Sequence, residues 1–259
     1  MLRSIILPLF NEENRVRRGI ESIQRFLGAV RSDYEVVLVD DGSTDMTVEL
    51  ASELIAGDHR FQLLSYSENR GKGHTVKIGM LEARGKTRLF CDIDMSVPVE
   101  VADKFCETVE GGPDVVIGTR SHRGSQIVCR QAPLREVLGK GYRSISRWFF
   151  SRRVSDFTCG FKAFSDEAAV RLFSASRLNR WAFDTEILFL ASRWGLAVGE
   201  IPVSWTNEPN TRVQMSRDII GSIAELASIR LYRLLKLYER PKPSSATIVE
   251  FDRLAARFR

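Results

Sequence analysis

The sequence predicts an α/β fold in which a mainly parallel central sheet carries helices on both faces. Near-continuous apolar runs at residues 4–10, 34–39, 61–65, 89–91 and 114–119 read as buried strands. The first of these alternate with amphipathic helical segments, the βαβα order of a parallel sheet. The runs end in acidic or glycine-bearing turns, and in such sheets ligands bind beyond the carboxyl ends of the strands.

The strand at 4–10 passes into Asn11, Glu12, Glu13 and Asn14, a turn and helix cap that would place acids in the first helical turn. The helix runs to 29 with Ile20, Ile23, Phe26 and Leu27 on one face. The strand at 34–39 ends in an acidic turn, 40–45, before a helix at 46–56. After the strand at 61–65, Gly71 and Gly73 allow close backbone approach to a ligand and Lys72 adds a cation, ahead of a helix through 83.

The next strand delivers Asp92 and Asp94 to the same edge. In an extended segment, residues two apart face one side. Two carboxylates so placed repel unless a cation lies between them, and an all-oxygen pair suits Mg²⁺ or Mn²⁺ with substrate phosphates completing the shell. Asp-x-Asp is also common in plain loops. Its weight here comes from the acidic turns at 8–12 and 40–45, which share its edge.

A helix at 99–109 and the strand at 114–119 lead into a basic block. Between Arg120 and Arg153, nine Lys or Arg residues face a single acid, Glu136. A formal net charge of +5 thus divides into +8 there and −3 elsewhere, which implies an anionic partner. Within the block, a helix at 132–150 mixes Trp148, Phe149 and aliphatic residues with Lys140, Arg143 and Arg147. It can lie in a membrane interface, or pack in the core with its cations reaching outward.

Further on, the segment 181–186 enters a helix at 187–194; Asp184 and Glu186 sit at its N-terminus, where acids are favoured structurally, while Trp181 and Phe183 beside them point to a partly dry pocket. A strand at 197–205, a polar loop at 206–215 with Arg212 and an amphipathic helix at 216–238 follow.

The 259 residues are 44% apolar and 27% charged, ordinary for a globular protein. No run approaches the roughly 20 apolar residues of a membrane span, and the first residues are too soon broken for a signal peptide. A cytoplasmic protein peripherally associated with the membrane is expected. Cys91, Cys106, Cys129 and Cys159 lie far apart with no CxxC pair, so reduced thiols in packing roles are expected.

Eight motifs in order, PLFNEE, VDDGSTD, ENRGKG, DIDMS, GTR, DFTCGFKAF, WAFDTE and IPVSW, resemble the inverting family 2 glycosyltransferases of the GT-A fold. Among these they are most similar to the polyprenyl-phosphate glucosyltransferases and their mannosyl relatives. The resemblance implies a GT-A catalytic domain, a Rossmann-like sheet with helices on both faces, over 1–240, with a linker and short basic amphipathic tail at 241–259. It implies that Pro8, Phe10, Glu12, Val39 and Asp41, with Lys72, hold the base and ribose of a nucleotide sugar. Asp92, Ile93 and Asp94 would engage ribose, diphosphate and a divalent metal. Arg120, Arg123 and Arg212 would lie near the diphosphate or the acceptor phosphate, and Asp184 falls where relatives with hydroxyl acceptors keep a general base. Ser96 departs from the Gln of many mannosyl enzymes, and the transmembrane anchor of many membrane relatives has no counterpart in the sequence.

The expected reaction is metal-dependent transfer of a hexose, glucose from UDP-glucose foremost, to a polyprenyl phosphate at a membrane surface. Such an acceptor is already an anionic nucleophile and needs cations more than a base. The alternative is a hydroxyl acceptor with Asp184 as base. A non-catalytic nucleotide- or RNA-binding module using the basic block is disfavoured because the chain lacks GxxxxGK[ST] and any RNP-like strand.

Overall fold

The computed structural model describes residues 1–122, 124–129, 141, 146, 154–206 and 215–238. Arg123, Arg212, the helix expected at 132–150 (apart from residues 141 and 146), most of the loop at 206–215 and the tail beyond 238 lie outside the described residues. Seven strands form the central sheet in the order β3-β2-β1-β4-β7-β5-β8: β1 (Arg3–Leu9), β2 (Tyr34–Asp40), β3 (Phe61–Ser65), β4 (Thr87–Cys91), β5 (Val115–Thr119), β7 (Phe161–Ser165) and β8 (Val198–Pro202). A second sheet pairs β6 (Gln126–Cys129) with β9 (Ser204–Thr206). The helices are α1 (Val16–Ala29), α2 (Thr47–Ile55), α3 (Lys72–Glu82), α4 (Ala102–Glu110), α5 (Asp166–Ala175), α6 (Phe183–Arg193) and α7 (Met215–Leu234).

The apolar runs become strands buried on both faces. Along β1 and β2, Ile6, Val37 and Val39 pack with α3, α5 and α6 on one side, while Ile5, Leu7, Val36 and Leu38 pack with α1 and α4 on the other. This period-2 division is why the strands carry no polar face. At the amino edge of the sheet, Arg3 pairs with Asp103 at 2.6 Å and Glu110 at 2.8 Å, tying β1 to α4. The carboxyl edge is left for function.

Four details depart from the sequence expectations. Strand β7 begins in the segment 155–164, for which no strand was expected, and ends at Ser165; it runs antiparallel to both neighbours, β4 and β5. Its amino end therefore reaches the edge where the other strands have their carboxyl ends. The run at 197–205 divides at Val203, whose N–H donates to the Thr119 carbonyl at 3.2 Å while its carbonyl accepts from the Gln126 N–H at 3.3 Å; β8 joins the central sheet and β9 the small one. Helix α1 has no acid in its first turn and no side-chain cap; Glu12 pairs with Arg15 instead, at 2.6 Å. The helix at 99–109 begins as a 3₁₀ turn, Val99–Val101, before α4.

Cys91, Cys106 and Cys159 are buried free thiols, as expected. Among the described residues, no helix is long and apolar enough to cross a membrane.

Phe164 joins the two halves of the sheet, fully buried between Phe90, with centroids 6.3 Å apart, and Phe173 at 5.4 Å. Phe164→Ala is expected to cost about 3–5 kcal/mol of stability, read as a lowered urea midpoint at unchanged m-value; a loss under about 1 kcal/mol would contradict this packing.

Candidate active site

The turns after β1 and β2 are stitched to each other. Asn11 adopts φ 53°, its N–H donates to Ser43 Oγ at 2.8 Å and its side-chain oxygen accepts from the Thr44 N–H at 2.8 Å. The Glu12 N–H donates to Thr47 Oγ1 at 2.6 Å. Pro8 is half-buried and the Phe10 ring is exposed at the edge. Val39, expected beside the base, has its side chain wholly in the core.

Asp41 is buried and accepts four hydrogen bonds: from Tyr66 Oη (2.7 Å), Asn69 Nδ2 (2.9 Å), and the N–H groups of Arg70 and Gly71 (2.8 Å each). A carboxylate offers about four lone-pair sites, so Asp41 is occupied in shaping the 66–71 loop. That loop sets the start of α3 and aims Lys72 across the edge.

Beyond β4 the chain turns, with Met95 at φ 53° and its N–H donating to the Asp92 carbonyl at 3.2 Å. The two aspartates are thus presented by a turn, not by the extended segment the spacing implied. Ile93 between them is buried against Gly19 of α1, where a Cβ would come within 2.5 Å of its side chain. Asp92 Oδ1 meets Lys72 Nζ at 2.5 Å. Asp94 accepts the Ser96 N–H at 2.8 Å, and the Ser96 carbonyl accepts the Thr206 N–H of β9 at 2.9 Å. On its other side Asp92 rests on Gly160: a Cβ there would lie 2.1 Å from Asp92 Oδ2.

Strand β7 and the segment before it supply what the sequence reading missed. Asp156, fully buried, grips Arg120 through both oxygens at 2.7 and 2.9 Å, and Thr158 Oγ1 accepts from the same guanidinium at 2.8 Å. Burial disfavours the Arg120 charge, but Asp156 more than offsets it and raises its pKa. The guanidinium, 5.6 Å above the Trp205 ring, is a fixed and largely neutralised cation. Lys162 is fully buried, donating to Asp184 Oδ1 at 2.5 Å and the Cys159 carbonyl at 2.6 Å. Asp184 stands at the start of α6; burial raises its pKa, against the pull of Lys162 and Lys72.

The signal that could have found these residues is a lysine in an otherwise apolar strand. Such a lysine is not buried without a partner acid. Glu186, two residues beyond Asp184, plays a structural part. It accepts the Arg177 and Leu178 N–H groups at 3.0 Å and a bond from Tyr238 Oη.

These residues fit a divalent cation of the Mg²⁺ or Mn²⁺ type. Asp92 and Asp94 provide hard oxygens, and burial together with the Asp92 charge raises the Asp94 carboxyl above its ordinary pKa, as in a pair short of positive charge. Among the described residues, no group of three or more His, Cys, Asp or Glu side chains could hold a metal alone. The remaining ligands would be phosphate oxygens and water, the usual Mg²⁺ arrangement.

The profile of glycosyl transferase family 2 matches residues 4–173, from β1 into α5. The chain belongs to glycosyl transferase family 2. It is a glycosyltransferase, and Asp184 lies beyond the span that the family profile matches. Among its relatives, the dolichyl-phosphate beta-glucosyltransferase of Drosophila melanogaster is 34% identical over 236 residues, 83% of this chain and 72% of the relative. That of Saccharomyces cerevisiae is 31% identical over 257 residues, 92% of this chain and 77% of the relative. Two solved structures share the GT-A fold. Mannosyl-3-phosphoglycerate synthase from Rubrobacter xylanophilus gives a TM-score of 0.67 at 17% identity, covering 95% of this chain and 79% of that one. Glucosyl-3-phosphoglycerate synthase from Mycobacterium tuberculosis, in complex with Mn²⁺, UDP-glucose and phosphoglyceric acid, gives 0.66 at 18% identity, covering 88% and 79%.

Two predictions test this geometry. Gly160→Ala should leave the protein folded, because only the end of the Asp92 side chain must move, yet lower sugar-nucleotide turnover by roughly 10²-fold, the cost of misplacing a reacting group by about 1 Å. Unchanged turnover at an unchanged Tm would refute the contact. Lys162→Met should destabilise by about 3–5 kcal/mol by stranding Asp184 in the interior, and Asp184→Asn in the same chain should restore most of that loss. Additive losses in urea unfolding would show that the two side chains are not paired.

Proposed function

We propose that this glycosyltransferase transfers glucose from UDP-glucose to the phosphate of a polyprenyl phosphate, dolichyl phosphate being the example named in its relatives, with inversion at the anomeric carbon. In that reaction an acceptor phosphate oxygen forms the new bond to C1 as the C1–O bond to UDP breaks, and the electron pair leaves with the diphosphate. The names of the relatives support the donor sugar and the acceptor class. The observation that carries the reading is the Lys162–Asp184 pair. An Asp184 held by a buried ammonium at 2.5 Å is ill placed to collect a proton, and a phosphate acceptor is already an anionic nucleophile near neutral pH, with no proton that must be removed for it to attack. The pair also cancels a negative charge that would otherwise repel an anionic acceptor.

On the donor side, Phe10 and the interlocked turns at 8–12 and 40–45 form the rim for base and ribose, and Lys72 is within reach of the diphosphate. Asp92 and Asp94 would hold Mg²⁺ or Mn²⁺. When bound, the ion stabilises the charge that develops on the leaving diphosphate. Arg120, fixed by Asp156 and Thr158, presents its guanidinium beside Trp205 as an oriented donor near the same edge. The protein works at the cytoplasmic membrane surface, where the lipid phosphate of its acceptor is exposed.

A second reading, transfer to a hydroxyl with Asp184 as base, draws support from the burial that raises the Asp184 pKa, since a base works best when poised near the operating pH.

The test is turnover of UDP-glucose with polyprenyl phosphate and Mn²⁺ over a pH range of roughly 6 to 9. Glucosylated lipid phosphate should form, and Asp184→Asn should lose less than the roughly 10²- to 10⁴-fold expected for a missing general base, with its pH profile unchanged in shape. Product on a hydroxyl acceptor only, or loss of both rate and a pH limb in Asp184→Asn, would overturn the phosphate reading.

A further inference from the structure

We propose that Lys72 is the resident counter-ion of Asp92 in the donor-free protein, and that by leaving Asp92 when a diphosphate arrives it couples metal binding to nucleotide binding. This rests on the metal reading of Asp92 and Asp94 given above.

The position of Lys72 is imposed by backbone. It is the first residue of α3, after Gly71 at φ 102°. A Cβ on Gly71 would lie 2.5 Å from the Asn179 carbonyl oxygen, and one on Gly73 would lie 2.7 Å from Phe183 Cβ. The two glycines thus let the start of α3 press against the segment that leads into α6. The His74 N–H donates to the Asn179 carbonyl at 3.1 Å, and Asp41 holds the Arg70 and Gly71 N–H groups from the other side. The lysine stem is directed between the end of β4 and the start of α6.

There Nζ sits 2.5 Å from Asp92 Oδ1 and 5.6 Å from the centroid of the Trp181 ring, with Asp94 and Asp184 adding to the field that keeps it charged. A divalent ion on the Asp92 and Asp94 carboxylates would be a second cation beside the oxygen that the ammonium already occupies. The two repel at short range, so metal alone binds against Lys72.

Lys162 cannot take part in this exchange, since it is fully buried and tied to Asp184 and the Cys159 carbonyl. The Lys72 side chain is 19% exposed, on a flexible stem, and can move to a new partner. A diphosphate supplies that partner. When the ammonium transfers to phosphate oxygens, Asp92 is released to the metal, so each ligand favours the other by the same factor.

The experiment is Mn²⁺ binding to the full chain, by calorimetry or by the electron paramagnetic resonance of free Mn²⁺, with and without UDP. In the wild type, UDP should tighten Mn²⁺ binding by roughly 5- to 150-fold, the usual span of coupling between sites. Lys72→Met and Lys72→Gln should bind Mn²⁺ alone more tightly than the wild type and show a smaller UDP enhancement, the part due to phosphate ligation of the metal remaining, while Lys72→Arg should keep the wild-type pattern. Neutral variants that bind Mn²⁺ alone no tighter than the wild type overturn the proposal. So does failure of both neutral variants to fold, which would make the Lys72–Asp92 contact a structural ion pair. If the wild type takes up no Mn²⁺ even with UDP, the metal reading itself fails, a result distinct from either.

Discussion

Charge inside a cleft that excludes water has to be paired, and the pairing of Lys162 with Asp184 sets the terms for the rest of this site. An ammonium with no exposed surface is tolerated only where its geometry is good and its other hydrogens are used. Lys162 meets both conditions through Asp184 and the Cys159 carbonyl. The pair requires β7 to run against its neighbours, which places Lys162 opposite Phe90 and Ile117. It also requires α6 to begin where Phe183 packs on Phe90, with centroids 5.8 Å apart, one residue before Asp184. Strand direction, aromatic packing and site charge are therefore one constraint.

Around that pair the site divides by how firmly its charges are held. Arg120 and Asp156 form a bidentate unit, as do Glu12 and Arg15. Asp41 is saturated by its own loop. Lys72, Asp92 and Asp94 are the looser members, lying at the open side of the edge between rigid groups. A site organised in this way leaves little reorganisation for the moment of reaction, which is the condition under which electrostatic stabilisation is most effective.

Much of this was legible in the sequence. The parallel half of the sheet follows from apolar runs separated by helical periods, and the edge that carries the candidate site follows from where the acidic turns fall. Asp92, Asp94, Lys72 and Asp184 do come together, as their place at strand and helix ends implied. Other features were hidden because their cause is tertiary. Nothing local in Phe161–Ser165 says that the strand is antiparallel, and its five residues are too short for periodicity to decide. Val39 could be placed near a ligand by position along the chain, but only packing shows its side chain turned into the core. Arg120 looked like an available cation because its partner, Asp156, lies 36 residues away.

The antiparallel seam has a consequence for how the fold tolerates change. Cys91 is in register with Phe161 and Ile117 with Lys162, so the donor turn and the lysine strand are locked together by ladder hydrogen bonds rather than by the chain that joins them. The span between Thr119 and Phe161 leaves the sheet and returns to it, and closing such an excursion grows dearer only slowly, by about 0.6 kcal/mol for each doubling of its length. Insertions in that span ahead of Val154 leave the strand register untouched, whereas Asp156, which holds Arg120, and Gly160, which rests against Asp92, stay tied to the site. The fold thus separates turns whose placement is fixed by the sheet register from a connection whose length that register does not constrain.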